Sequence, residues 1–245
     1  MTTLTRQRLF CALDTASLAA AQAQARLLRD AVGGLKVGLE FFAAEGPAGV
    51  RALAGHGLPI FLDLKLHDIP NTVARAVAAL TPLAPFMLTV HAAGGPHMLR
   101  AAREAAAEAA AAAGVRRPLI IAVTVLTSLD EGDLTAVGVG DAPHAQVLRL
   151  AKLARDCGLD GVVSSAHEIA PLRQALGPDF VLVTPGIRPA GVAAGDQKRV
   201  TSPAEAVALG ASFLVIGRPI TEAADPKAAA EAIVAEMTEA ESLTL

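Results

Sequence analysis

The sequence predicts an α/β protein that folds as a single-domain (β/α)8 TIM barrel with eight parallel strands. Eight short apolar runs, rich in β-branched residues, alternate with helical segments and turn residues along the chain. A length of 245 residues fits one such barrel or two small domains, so size alone does not decide. No linker or change in composition divides the chain, so we expect residues 1–245 to form one domain.

The apolar runs give the strands in chain order, at residues 9–14, 35–38, 59–65, 86–91, 119–124, 161–164, 181–185 and 213–217. Between them, helical patterns cover residues 18–31, 71–80, 98–113, 145–157, 168–176 and 204–209. Residues 225–245 are expected to form a closing helix. Because parallel strands in a barrel end at one face, the reactive surface is expected at their carboxyl ends.

Composition restricts the classes of partner. Hydrophobic residues make up 53% of the chain and charged residues 18%, which predicts a large core built from Ala, Val, Leu and Ile. A net charge of −3 without any Lys/Arg-rich block argues against a nucleic acid or an anionic membrane as partner. The first residues are expected to run directly into a strand without a signal-peptide core, which favours the cytoplasm. Cys11 and Cys157 lack metal-ligand spacing, and we expect buried reduced thiols.

The third predicted strand ends in the charged motif Asp63-x-Lys65-x-x-Asp68. Alternation along a strand would put Asp63 and Lys65 on one face, roughly 6.5 to 7 Å apart. Removing such charges from water costs several kcal/mol unless partners compensate, which indicates a chemical use. A structural ion pair that closes a strand is the alternative for an isolated Asp-x-Lys.

Other predicted strands also end in polar residues, which makes the ion-pair alternative weaker. These are Asp14, Lys36, His91, Thr124, Ser164 and Thr184. Lys36 and Lys65 with Asp63 and Asp68 would form an alternating, nearly neutral array, in which each ion offsets the desolvation of its neighbour. Such an array can hold an ammonium group ready to deliver a proton beside a fixed negative field.

A second group of candidate residues follows strands seven and eight. Glycines there let backbone N–H groups approach a phosphate, and Arg188 and Arg218 can bind it in bidentate fashion. The loop 189–197 between them is rich in small residues and long enough to close over a ligand. Each Gly-Arg pair alone would also fit a solvated loop.

These segments resemble the orotidine 5′-phosphate decarboxylase family. The motifs that carry the resemblance keep the family's order over nearly the whole chain, at residues 12–14, 35–38, 61–72, 123–128, 183–189, 195–197 and 215–219. The resemblance implies a barrel catalytic domain that converts orotidine 5′-phosphate (OMP) to UMP and CO2 without a cofactor or metal. This reaction is the last step of de novo pyrimidine biosynthesis.

The resemblance also implies roles for individual residues. Lys65 would protonate C6 of the pyrimidine, Asp63 would lie beside the substrate carboxylate, and Lys36 and Asp68 would complete the array. Asp68 and Thr72 would act in the neighbouring site of a homodimer. The remaining substrate-binding residues would be Asp14 for the ribose, Thr127 for the pyrimidine edge, and Arg188, Gln197, Gly217 and Arg218 for the phosphate and its lid.

Two other functions share part of this pattern. A sister group on the same scaffold, the metal-dependent 3-keto-L-gulonate 6-phosphate decarboxylases and hexulose-phosphate synthases, shares the Asp-x-Lys-x-x-Asp motif but has an acidic residue at the position of Lys36. A cation at that position would repel a metal. A non-catalytic phosphate-binding barrel would have no use for the costly charges at 63, 65 and 68. His67 and His91 lack metal-ligand spacing, which favours hydrogen-bonding or surface roles.

Overall fold

The computed structural model describes residues 2–189 and 201–243. Within these ranges, eight parallel strands follow one another in chain order around a closed barrel, as the sequence predicts. Each strand begins and ends within about one residue of its expected position. The strands are β1 (Leu9–Leu13), β2 (Gly34–Gly38), β3 (Ile60–Leu66), β4 (Met87–His91), β5 (Leu119–Val123), β6 (Gly161–Val163), β7 (Val181–Pro185) and β8 (Phe213–Ile216).

Each helix expected from the sequence is present, and further helices lie between them. The observed helices are α1 (Thr2–Arg6), α2 (Leu18–Leu28), α3 (Leu39–Ala54), α4 (Pro70–Leu80), α5 (Gly95–Ala113), α6 (Glu131–Ala136), α7 (Pro143–Asp156), α8 (Ile169–Leu176), α9 (Pro203–Ala208), α10 (Arg218–Thr221) and α11 (Pro226–Leu243). The expectation that the N-terminus runs directly into a strand is wrong, because α1 precedes β1. None of the helices in the described ranges is long and apolar enough to cross a bilayer.

Helix α3 is the longest element that the pattern analysis did not anticipate. It contains Gly46 with φ 58° followed by Pro47, and the helix is kinked there. Both residue types disfavour a helix interior, since Gly costs backbone entropy and Pro removes an N–H donor. The two halves nevertheless bury Phe41, Val50 and Leu53, so packing on the barrel outweighs the weak local preference.

The chain packs as two compact units. The first comprises Met1–Leu64 and Thr184–Leu245. Its core contains the Phe10 ring, which meets Phe61 at a centroid distance of 6.3 Å and Phe213 at 5.7 Å, both nearly perpendicular. Gly34 makes room for this cluster, because a Cβ there would clash with the Phe10 ring. The three rings lie near the amino ends of β1, β3 and β8, and their edge-to-face packing stabilises this part of the core.

The second unit comprises Lys65–Val183. Here the Asp160 carboxylate, just before β6, accepts hydrogen bonds from Arg117 at 2.6 and 2.8 Å and from the Ile120 N–H at 2.7 Å. This contact ties the starts of β5 and β6 together. The Ala-rich helix α5 buries a stripe of alanines at four-residue spacing and exposes its charged face.

Candidate active site

The first unit brings Asp14 and Lys36 into direct contact. Asp14 follows β1, Lys36 lies in β2, and the register pairs Ala12 with Lys36. Lys36 Nζ donates a hydrogen bond to Asp14 Oδ1 at 2.8 Å. The Lys36 side chain is 13% exposed and that of Asp14 is 65% exposed, so the carboxylate remains open to a ligand while the ammonium is largely covered. Both residues were predicted to lie at strand ends, but their ion pair was not predicted.

Cys11, in β1, interacts electrostatically with both Asp14 and Lys36. Its thiol is buried, and burial together with the Asp14 carboxylate raises its pKa to about 12, whereas Lys36 acts in the opposite direction. A thiol with this pKa stays protonated at neutral pH and is a poor nucleophile. Cys11 and Cys157 are both buried thiols that form no disulfide, as the sequence predicts.

Asp63 lies near the end of β3 in the same unit and is half-buried. Its register partner in β2 is Gly38. A Cβ built on Gly38 would stand 3.8 Å both from the Asp63 carbonyl oxygen and from Lys36 Nζ. Gly38 therefore lies beside the Lys36 ammonium, and a Cβ there would make ordinary van der Waals contact with it.

The candidate phosphate-binding residues of this unit differ in exposure. Arg188, after β7, is only 7% exposed, and its backbone N–H donates to the Thr201 carbonyl oxygen at 3.2 Å. Arg218, at the start of α10, is exposed. Gly217 lies over the end of β1, because a Cβ there would stand 3.3 Å from Ala12 Cβ and 3.7 Å from Asp14 Oδ2. The ends of β8 and β1 therefore meet at the residues expected to bind phosphate and ribose.

Lys65, the first residue of the second unit, has an unusual backbone conformation. Its φ is 50°, and among the described residues only Ala84 is another non-glycine with a positive φ. The Lys65 N–H donates to Thr89 Oγ1 at 2.9 Å. Such a conformation costs about 1–3 kcal/mol and tends to persist at functional sites. The alternation argument for Asp63 and Lys65 assumes an extended backbone throughout, and this assumption is wrong at Lys65.

Asp68 and Thr72 lie on an exposed surface. Asp68 Oδ1 accepts a hydrogen bond from the Ile69 N–H at 2.6 Å, which fixes the carboxylate just before α4. Thr72 is in the first turn of that helix and is exposed, and Ile69 between them is 66% exposed. Thr127 is also exposed, in the loop after β5.

The histidines of the motif and of β4 form a pair that the sequence did not indicate. The rings of His67 and His91 lie 5.4 Å apart between centroids with an angle of 35°. In the described ranges, no group of three or more His, Cys, Asp or Glu side chains is arranged to hold a metal ion.

The polar residues at the ends of β5 to β7 are buried. Thr124 Oγ1 donates to the Val163 carbonyl oxygen at 2.9 Å.

Comparison with known proteins gives the family. The family model described as "Orotidine 5′-phosphate decarboxylase / HUMPS family" matches residues 7–233. The chain belongs to this family. Its relatives include the orotidine 5′-phosphate decarboxylases of Rhodospirillum rubrum, 56% identical over 97% of this chain and 96% of that protein, and of Gluconobacter oxydans, 54% identical over 96% and 99%. The crystal structure of orotidine 5′-phosphate decarboxylase from Lactobacillus acidophilus superposes with a TM-score of 0.81 at 39% identity, covering 94% of this chain and 98% of that one.

Membership of the orotidine 5′-phosphate decarboxylase / HUMPS family makes this chain an enzyme of a decarboxylase family. Among the candidate residues, Asp14 lies close to both Lys36 and Gly217 in the first unit. Gln197 lies outside the described residues. Thr89, which contacts Lys65 directly, was not a candidate, because a threonine within an apolar strand carries no local signal for function.

Proposed function

We propose that this chain decarboxylates orotidine 5′-phosphate to UMP and CO2, the last step of de novo pyrimidine biosynthesis, without a cofactor. The observation that carries the proposal is the conjunction of a half-buried Lys36 paired with Asp14 at 2.8 Å and the full Asp63-x-Lys65-x-x-Asp68 motif. These residues stand in a chain whose relatives of 54–56% identity are named orotidine 5′-phosphate decarboxylase. Lysine at position 36 favours this reaction over the metal-dependent one of the sister group.

The chemistry requires electrostatic help at one carbon atom. When the bond from C6 to the carboxylate breaks, its electron pair stays in an in-plane orbital at C6 and CO2 departs. That orbital is not conjugated with the ring, so a nearby cation must stabilise it. In the proposal the Lys65 ammonium does this and then transfers a proton to C6, giving UMP and a neutral amine that solvent protonates again.

Asp63 and Lys36 would supply further charges near the reacting group. Asp63 would lie beside the substrate carboxylate, where a negative charge disfavours the ground state relative to departing CO2 or orients Lys65. Lys36 is held by Asp14, and this contact supports a role in which the pair presents one acceptor and one donor to the ribose hydroxyls. Asp68 would complete the array from a second subunit.

The phosphate would bind away from the reacting carbon. The buried Arg188 suits a fixed anchor, and the exposed Arg218 suits a group that closes on the ligand together with Gln197 of the loop. Gly217 would let the phosphate approach the backbone closely. Binding energy gained there can order the charges around C6 and so increase turnover as well as affinity. Thr127 would contact the pyrimidine edge.

We further propose a cytoplasmic homodimer in which Asp68 and Thr72 reach the neighbouring site. Asp68, Ile69 and Thr72 are exposed at the start of α4, so a second chain could reach them there. Free thiols at Cys11 and Cys157 suit a reducing compartment such as the cytoplasm. In this assembly each site would depend on residues from two chains.

The test is an absorbance assay of purified protein with orotidine 5′-phosphate in the presence of EDTA. Loss of the orotate chromophore, with UMP and CO2 as products, is expected at the same rate with and without the chelator. Parallel reactions contain 3-keto-L-gulonate 6-phosphate or hexulose-phosphate synthase substrates with Mg2+. Turnover of these substrates alone, or a requirement for metal, would assign the chain to the sister activity.

A further inference from the structure

The backbone at Lys65 is turned into a conformation that the local sequence does not favour. Lys65 stands between Leu64 and Leu66 at the end of β3 with φ 50°. The left-handed region is disfavoured for residues with a Cβ and is usually occupied by Gly or Asn. Ala84, which shares this property, caps a 3-10 turn, where the conformation is common. At Lys65 no such turn explains it, so a tertiary contact must hold the chain in place.

Thr89 supplies a contact of that kind. Its Oγ1 accepts the hydrogen bond from the Lys65 N–H at 2.9 Å, across 24 residues of sequence. Thr89 is fully buried in β4, between Leu88 and Val90, which are also fully buried. Valine has the same shape and would fill this place without burying a hydroxyl group, which is unfavourable unless it is hydrogen-bonded. The oxygen of Thr89 is therefore best explained by the group that it binds.

We propose that Thr89 is a positioning residue for catalysis. By accepting the hydrogen bond from the Lys65 N–H, Thr89 fixes the left-handed backbone conformation at Lys65. This conformation sets the direction in which the lysine side chain leaves the strand. The inference rests on the proposed function, in which Lys65 delivers the proton to C6. Thr89 itself touches no reacting atom. Its effect reaches the reaction through the backbone of the residue that does.

The test compares Thr89→Val with Thr89→Ser. Valine keeps the shape and removes the acceptor, whereas serine keeps the acceptor and removes a methyl group. We expect Thr89→Val to lower kcat about 10- to 100-fold, since displacement of a reacting group by about 1 Å can cost about 100-fold. The Kd for UMP should change less than about threefold, because the nucleotide contacts remain. Thr89→Ser should stay within about threefold of the wild-type kcat.

The matched control is Thr81→Val. Thr81 is likewise fully buried in the same unit, and its Oγ1 donates to the Val77 carbonyl oxygen at 2.8 Å. Its replacement removes a buried hydroxyl hydrogen bond without touching Lys65. We expect a loss of thermal stability comparable with that of Thr89→Val and an unchanged kcat. If Thr89→Val does not fold, Thr89→Ala provides the variant without an acceptor.

Amide hydrogen exchange at Lys65, followed by NMR, tests the hydrogen bond from Lys65 to Thr89 independently of catalysis. The Lys65 N–H should be protected in the wild type and Thr89→Ser and should exchange faster in Thr89→Val. An unchanged kcat in Thr89→Val, or a low kcat that serine does not restore, would overturn the inference. If the wild-type protein does not decarboxylate orotidine 5′-phosphate at all, the proposed function fails, and unchanged exchange in Thr89→Val would then separately refute the contact.

Discussion

Replacing Arg218 by Ala should weaken phosphate-bearing ligands and little else. Arg218 is exposed at the start of α10, next to Gly217, whose position over Asp14 puts this end of β8 beside the ribose-binding candidate. Hydrogen bonds to charged groups contribute about 1.5–3 kcal/mol, so the Kd for UMP should rise about 10- to 150-fold. Exposed side chains away from special features change stability by only about 0.5 kcal/mol, so Tm should hardly move. The buried Arg188 is a poorer probe, because its loss would also disturb packing.

The assay is calorimetric titration of wild type and Arg218→Ala with UMP and with uridine, which lacks the phosphate. The affinity for uridine should be the same in both proteins, and raising the salt concentration should reduce the difference for UMP. Arg100→Ala, an exposed arginine on α5, is the control and should bind UMP like the wild type. Equal weakening of UMP and uridine, or an unchanged UMP affinity, would refute the assignment of Arg218 to the phosphate.

Three further outcomes follow from the same structure. Mixing Asp63→Asn with Asp68→Asn protein should restore part of the activity through one intact hybrid site, whereas no recovery after confirmed subunit exchange would argue against shared sites. Burial raises the pKa of Glu168 above its ordinary value of 4.5. Folding therefore favours the protonated carboxyl group. The free energy of unfolding of the wild type, relative to that of Glu168→Gln, should be greatest at low pH and should fall as pH rises through the raised pKa. Urea unfolding at a series of pH values measures this difference. A constant difference would contradict it. Gly161→Ala should lower the free energy of unfolding by about 1–3 kcal/mol and Tm by about 2–12 °C, because the new Cβ would clash with the Val181 carbonyl oxygen. An unchanged Tm would show that β6 and β7 can separate at no cost.

The strands were predictable because the strands of a parallel barrel are buried on both faces and therefore appear in the sequence as short, continuous apolar runs with clear boundaries. The helices that were missed have a physical reason. Gly46 and Pro47 interrupt the pattern of α3, and α1, α6 and α10 are too short for any periodicity. Whether residues 1–245 act as one catalytic domain stays a prediction.

The candidate residues could be named from the sequence, but their contacts could not. The pair between Lys36 and Asp14 depends on the register of β1 against β2, which no local pattern specifies. The backbone of Lys65 depends on Thr89, a residue 24 positions away in another strand. Tertiary hydrogen bonds of this kind override the local preference for an extended chain.

The central claim is that the Lys65 ammonium protonates C6 as CO2 departs, and the direct measurement is single-turnover decarboxylation by Lys65→Ala. Lys152→Ala, a substitution of an exposed lysine on α7, is the control. We predict that Lys65→Ala loses at least about 100-fold in rate, the range expected for a positioned general acid, while UMP still binds and Lys152→Ala keeps the wild-type rate. A Lys65→Ala protein that releases CO2 at the wild-type rate would contradict the account.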